Sequence, residues 1–176
     1  MATARILKFG IGQAVTRRED ERLLTGRACY VDDIVRPDAL HAVFVRAPYA
    51  HARINGIDTS GARSVAGVVA VYSHADLAAD GVAPFAPNPV LKTARGAPPP
   101  APPLHALVER VRCVGQPVAV VIAASREAAE QAANAVAVDY EPLPAVADMA
   151  AALAPGAPQL WEHAPGNVAG TARYGD

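Results

Sequence analysis

The side chains best suited to proton transfer or metal binding near neutral pH are five histidines: His41, His51, His74, His105 and His163. None stands four residues from another, and none belongs to an H-E-x-x-H pattern, so the spacing that sets two imidazoles on one helix face around a metal is missing. His41 and His51 can meet if their segments lie on adjacent strands, but a metal site needs further ligands that nothing nearby nominates. They are expected as hydrogen-bonded histidines at a domain surface. Asp32-Asp33 is the one adjacent pair of aspartates in an apolar setting. Neighbouring residues of an extended chain point to opposite faces, which places the two acids badly for joint work on one bond. Capping a turn and linking to a nearby arginine is the expected role. Cys29 and Cys113 are far apart, form no C-x-x-C and are too few for an iron–sulfur cluster or a zinc site. Both are expected as reduced, semi-buried core residues rather than a disulfide.

Phosphate-binding and nucleophile motifs fare no better. Gly10-Ile11-Gly12-Gln13 imitates the start of a dinucleotide fingerprint without its third glycine, and Val114-Gly115-Gln116-Pro117 has no Lys-Ser/Thr for a phosphate loop. These glycines are expected to serve backbone turns. There is no G-x-S-x-G elbow. The only lysines are Lys8 and Lys92, and neither sits in the Met-Lys-Met setting of a lipoyl or biotinyl carrier. No catalytic, cofactor-binding or metal-binding residue is assigned.

The strongest exposed polar segment is Arg46-Ala47-Pro48-Tyr49-Ala50-His51-Ala52-Arg53. Guanidinium groups make forked bonds to carboxylates or carbonyls, so Arg46, His51 and Arg53 are candidates for fixing a domain or subunit interface. That role is preferred to electrophilic catalysis, which requires a pocket this chain is not expected to close alone.

The elements that must position these residues follow from patterning. Leu40–Val45 and the run from Val65 to Tyr72 are β-branched and aromatic, too short for ordinary helices, and expected as strands covered on both faces. Between them His51, Arg53, Asn55 and Asp58 fall at near-alternating positions, and Asn55-Gly56 signals a turn. A short helix is expected at Ser73–Ala79 with Ser73 as its cap. Eight prolines between Pro84 and Pro103 exclude helix and central strand, because each lacks an N–H and fixes φ. An exposed excursion of polyproline-II character is expected there. Strands resume at Arg110–Cys113 and Pro117–Ala123. The clearest helix is Arg126–Val136, capped by Ser125, with Ala128, Ala132, Ala135 and Val136 on one face. A strand at Val138–Leu143 and a short helix at Met149–Leu153 follow. Leu160 and Trp161 are candidate anchors in a Pro/Gly-punctuated tail.

At 176 residues the chain suits one domain and can bury a core without disulfides or metal. Its 16 basic and 17 acidic residues are mixed, for a net charge of −1, which leaves no footprint for nucleic acid or an anionic membrane. The N-terminus lacks a secretory pattern, and no window approaches about 18 consecutive apolar residues. A soluble, cytoplasmic chain is expected.

The stretch from Arg17 to Ile54, RREDERLLTGRACYVDDIVRPDALHAVFVRAPYAHARI, resembles the opening of the large, molybdenum-binding subunit of the xanthine dehydrogenase / aldehyde oxidase / aerobic carbon monoxide dehydrogenase family. The likeness continues through Ile57-Asp58-Thr59, Gly67-Val68-Val69-Ala70-Val71, Val114-Gly115-Gln116-Pro117-Val118-Ala119 and Val138-Asp139-Tyr140-Glu141-Pro142-Leu143-Pro144. Arg46–Arg53 resembles the family's R-S-P-x-A-H-A-R, with Ala47 replacing the serine. The resemblance implies an α/β (α+β) hammerhead domain, a mixed sheet with a few short helices, over residues 17–154. Residues 1–16 would then be a leader, 84–103 the Pro-rich loop, and 155–176 a linker toward a molybdopterin-binding domain absent from this chain. Gly166-Asn167-Val168 and Gly175-Asp176 look like the steps by which the family chain leaves the hammerhead.

Such enzymes oxidise a purine, aldehyde, N-heterocycle or CO with water-derived oxygen at a pterin-bound molybdenum, and pass electrons to [2Fe-2S] clusters and usually FAD. The family motifs for the cofactor and the glutamate base lie downstream and are not matched here. The chain, a truncation or one half of a split subunit, is therefore expected to bind none of these groups alone. It would instead dock with a molybdopterin-binding domain or chain, in a complex with iron–sulfur and FAD subunits. The rival expectation is a free-standing interaction module with the same fold; an autonomous small enzyme is the weakest reading.

Overall fold

The computed structural model describes residues 16–85, 104–162, 164–168 and 175. All but the last residue of the leader read over 1–16, the glycine pair at Gly10 and Gly12, His163 and most of the Pro-rich stretch lie outside them. The chain divides into two compact units at Ala39/Leu40.

In the first unit the acidic and basic residues after Arg17 form the short helix α1, Asp20–Leu24. Thr25 Oγ1 donates to the Glu21 carbonyl at 2.6 Å, and Gly26 follows at φ +68°, the left-handed conformation in which glycine ends a helix without strain. The aspartates take part in a 3-10 turn, Val31–Asp33, where the Asp33 carboxylate accepts from the Tyr30 N–H at 2.8 Å. Turn capping is thus what Asp33 does. Cys29 is exposed rather than semi-buried, because it lies in the irregular stretch just before this turn and not on a strand.

The second unit runs β1 (His41–Arg46), β2 (Ala52–Asp58), α2 (Ser60–Arg63), β3 (Val68–Ser73), α3 (His74–Ala79), β4 (Arg110–Val111), β5 (Pro117–Ala123), α4 (Arg126–Asn134), β6 (Ala137–Pro142) and α5 (Met149–Ala152). The strands make two antiparallel three-stranded sheets, ordered β1-β5-β3 and β4-β2-β6. The class is the one expected, but the strands divide between two sheets instead of sharing a mixed one. β5 is the central strand of its sheet, and its uninterrupted apolar sequence suits that place. β1 and β3 flank it and, among the described residues, are not covered on both faces: Phe44 remains 45% exposed and Val69 60% exposed.

The turn expected at Asn55-Gly56 is not formed. β2 runs straight through it, and its register against β6 slips between Ile54 and Gly56, so the two residues mark a β-bulge. The expected helix over 126–136 ends at Asn134, and its buried face is turned from the expected one. Ala129 and Ala132 are fully buried, with Ala133 and Val136 packed beside them, whereas Ala135 is exposed. Glu127, Glu130, Gln131 and Asn134 gather on one side, and the buried face is the opposite one, with Ala135 at its edge. Ser125 Oγ accepts from the Ala128 N–H at 3.2 Å, the expected cap. At α3 the Asp76 carboxylate accepts from both the N–H and the hydroxyl of Ser73, each at 2.6 Å.

Two buried clusters hold the unit together. Ala62, Val71, Val121 and Ala132 join α2 and α4 to one face of β1-β5-β3. Ala47, Ala52, Val108, Val111 and Val118, with Ile54, Val138 and Tyr140 packed against them, connect the two sheets. The neck of the Pro-rich excursion is closed by an antiparallel bridge between Phe85 and Leu104.

Candidate functional site

The segment Arg46–Arg53 links the end of β1 to the start of β2, one strand in each sheet. Its backbone is tied to the β4–β5 turn by Ala47 N–H to the Gln116 carbonyl (2.9 Å) and Gly115 N–H to the Ala47 carbonyl (2.8 Å). Gly115 takes φ +84° there, so it is the turn residue expected, and the Gln116 side-chain oxygen accepts from the N–H groups of Arg112 and Cys113. Cys113 lies on this turn and is exposed, again not semi-buried.

The three candidate residues occupy different surroundings. Arg46 is exposed; its Nη1 donates to the Gly115 carbonyl at 2.8 Å, and its guanidinium lies over the Phe44 ring, 5.7 Å from the centroid. Arg53 is exposed on β2 and pairs with Glu141 on β6 at 2.8 Å. His51 is interior, only 4% exposed, and is the one polar or charged residue in the core among the described residues. Its Nδ1 lies 2.7 Å from the Pro144 carbonyl oxygen, which can only accept, so Nδ1 carries the proton. Nε2 then accepts from Arg110 Nε at 3.2 Å. His51 is placed behind the surface that Arg46 and Arg53 line, where it supports the segment and does not itself face out. His41 and His51 are not brought together: His41 pairs with Ala123 on β5.

Sequence reasoning missed the pair Arg110 and Arg112. Arg110 stands directly across from Arg53, an arrangement of like charges that is unfavourable unless each finds its own acceptor. Arg53 takes Glu141 and Arg110 takes the His51 ring. Arg112 stacks on Trp161 at 4.1 Å and donates Nε–H to the Leu160 carbonyl at 2.8 Å, which fixes the anchor expected of Leu160 and Trp161. Burial, and next the neighbouring Arg110 charge, lower the pKa of its guanidinium, opposed by Glu162 and Glu109. The signal available was the alternation Arg110-Val111-Arg112, which sends both arginines to one face and the valine to the core.

Beside this stack lies a cleft of about 220 Å³ lined by His105, Glu109, Arg112, Gln116 and Trp161 among others. Ligand pockets usually enclose roughly 300–1,000 Å³, and the Arg112 guanidinium is already occupied. His74 and His105 meet edge to face, with ring centroids 5.0 Å apart, and His74 Nε2 is 3.7 Å from Glu109. Across the described residues no group of three or more His, Cys, Asp or Glu is arranged to hold a metal ion. Burial, with a smaller contribution from Tyr49, raises the pKa of the Tyr140 phenol. Among the described residues the arrangement supplies bonding groups on a surface, and the histidine–carboxylate approach at the cleft is that of His74 to the largely exposed Glu109.

Residues 25–144 match the sequence model of the aldehyde oxidase and xanthine dehydrogenase a/b hammerhead domain, and the chain belongs to that family. Among curated relatives it is 43% identical over 168 residues to the nicotine 6-hydroxylase large subunit of Paenarthrobacter nicotinovorans, covering 94% of this chain and 20% of that protein. It is 39% identical over 159 residues to the carbon monoxide dehydrogenase large chain of Afipia carboxidovorans, covering 87% and 18%. Among solved structures, reconstituted CO dehydrogenase from Oligotropha carboxidovorans superposes with a TM-score of 0.68 at 39% identity, over 85% of this chain and 17% of that one. The chain thus spans about a fifth of the length of these relatives. No described helix is long and apolar enough to cross a membrane.

Proposed function

We propose that this chain is the hammerhead portion of a molybdenum hydroxylase large subunit and that its work is docking and assembly rather than catalysis. The observation that carries this reading is the match of residues 25–144 to the hammerhead domain, within which the described residues hold no cluster able to bind a metal ion. The bonding pattern supports it, since several polar groups are engaged in holding the fold: His51 with Pro144 and Arg110, Arg112 with Trp161, Asp76 with Ser73. The reading takes residues 17–154, which span both compact units, as the hammerhead portion and 155–176 as its connection toward the molybdopterin-binding portion. The described residues offer no ligand set for a metal. In the assembled enzyme molybdopterin, [2Fe-2S] and FAD belong to the other portions or subunits, and the substrate is a purine, aldehyde, N-heterocycle or CO. The place is the cytoplasm, without nucleic-acid or membrane partners. Arg46 and Arg53 present the docking bonds, and His51 holds them in place from behind.

A second reading is favoured by the closed cores of the second unit, which need no partner to form: a free-standing interaction module that keeps the fold. The two separate on one experiment. The chain is produced together with the molybdopterin-binding chain of the same genome, and the mixture is tested for co-purification and for dye reduction with hypoxanthine, aldehydes, nicotine and CO. A co-purifying, active complex is expected. Failure to associate leaves the free-standing module as the better account.

A further inference from the structure

The outer side of the sheet β4-β2-β6 carries more positive charge than it neutralises. Ala52 pairs with Val111 and Pro142, and Ala52 and Val111 are fully buried, so that row faces the core. Successive side chains of a strand alternate between faces, and the next row, Arg110–Arg53–Glu141, leaves the sheet on the opposite side. It sets two guanidinium groups beside one carboxylate. Directly paired residues of antiparallel strands have Cβ atoms about 4.5–5.5 Å apart, and like charges so placed repel. Glu141 is taken by Arg53 Nη1 at 2.8 Å. Arg110 makes no ion pair among the described residues. Its bond runs from Nε to His51 Nε2 at 3.2 Å, and that ring, with its proton on Nδ1 toward Pro144, is neutral. The Nε–H is satisfied, and the charge stays uncompensated. A third guanidinium, that of Arg112, lies close enough to feel the Arg110 charge. Glu162 and Glu109 also act on Arg112, and Glu109 stands 3.7 Å from His74.

We propose that Arg110 and Arg53 form a binding site for a tetrahedral oxyanion, a phosphate or sulfate group gripped between their guanidinium forks. The site is prepared by its surroundings. His51, only 4% exposed, fixes Arg110 through Nε. The Nη groups of Arg110 have no hydrogen bond among the described residues, and Arg53 has none beyond the one from Nη1 to Glu141. Shape selects the ligand. Two forks side by side on neighbouring strands need oxygens aimed in two directions, which a tetrahedral group offers and the single edge of a carboxylate does not. Charge selects it too, because a dianion between the two arginines offsets their repulsion. The side chains of Arg53 and Glu141 are 61% and 46% exposed, so water and salt screen the site, and a dissociation constant on the order of 1 mM is expected. Arg53 also belongs to the docking segment, but this site does not rest on docking and is tested on the chain alone, where the two readings fail separately.

The 176-residue chain is titrated with sodium phosphate and with sodium sulfate at neutral pH, ionic strength being held low and constant with sodium chloride. Nuclear magnetic resonance follows the arginine Nε–H signals and the backbone amides of β2 and β4. Saturable shifts at Arg110 and Arg53 are expected with both anions, and acetate is expected to bind several-fold more weakly. Arg110→Ala, which removes charged hydrogen bonds, is expected to weaken phosphate binding about tenfold, and Arg53→Ala several-fold. Arg126→Ala, an exposed arginine on α4, is expected to leave it unchanged. Glu141→Gln is expected to tighten binding several-fold, since it removes the competing carboxylate and keeps the side chain's size. A gain of binding cannot arise from misfolding, so this variant decides even where an arginine variant folds poorly. A parent chain that shows no saturable shift, or the same shift with chloride alone, overturns the site. So do Arg110→Ala and Arg53→Ala chains that bind like the parent, equal weakening by Arg126→Ala, or a Glu141→Gln chain that binds no better. Acetate binding as tight as that of phosphate overturns the tetrahedral assignment.

Discussion

Replacing His51 by alanine tests whether this residue holds the segment together from inside. The ring is 4% exposed and makes two bonds, to the Pro144 carbonyl at 2.7 Å and from Arg110 Nε at 3.2 Å. A neutral bond contributes about 1 kcal/mol and one to a charged group about 1.5–3 kcal/mol, so alanine is expected to cost about 3 kcal/mol. For a chain of this size that lowers Tm by roughly 6–12 °C. His51→Asn separates the two bonds, because its amide nitrogen reaches roughly the place of Nδ1 and keeps the bond to Pro144 while losing the one from Arg110. Its loss should fall between parent and alanine. The control is Arg53→Ala: that residue's pair with Glu141 is exposed on both sides and is worth about 0–1 kcal/mol. Thermal and urea denaturation followed by circular dichroism give all three values. A His51→Ala chain within about 1 kcal/mol of the parent, a size typical of an ordinary point change, would refute the assignment of His51 as an internal strut.

Two further outcomes concern local packing and charge. A Cβ added at Gly61 would stand 2.9 Å from the Ala135 backbone oxygen, so Gly61→Ala must push α2 away from the end of α4. Overpacking costs typically about 1–3 kcal/mol against a helix-propensity gain of up to about 1 kcal/mol, so urea denaturation should show a net loss, and a gain would contradict this packing. The carboxyl of Asp76 is held below its ordinary pKa, first by the Ser73 hydroxyl and next by the Ser73 N–H. A depressed folded value adds stability above the unfolded value of about 4 and loses it as pH falls through the folded value. Asp76→Asn should therefore melt below the parent at neutral pH, with the gap closing in acid; a gap constant from neutral pH down to about pH 2 contradicts that linkage.

Most of the element order was legible in the sequence because strong local signals agree with the tertiary outcome. Pro117–Ala123 reads as a strand and is the centre of its sheet. Ser125 reads as a cap and bonds Ala128. The motifs from Arg17 to Pro144 also carried the family, which the match over residues 25–144 bears out. What local pattern could not decide were matters of pairing. Asn55-Gly56 has the composition of a turn, and only the ladder with β6 turns it into a bulge. On α4 the polar residues Glu127, Glu130, Gln131 and Asn134 already mark the outer side, and the seating of the helix on the sheet decides only that Ala129 and Ala132 are buried while Ala135, at the edge, is exposed. Arg46, His51 and Arg53 look equivalent in the chain. Tertiary structure buries His51 between Pro144 and Arg110 and leaves both arginines at the surface, because burial and partner choice depend on residues 59–93 positions away in sequence. β1 and β3 likewise read as covered on both sides, yet Phe44 and Val69 stay 45% and 60% exposed, because coverage depends on what packs over the assembled sheet.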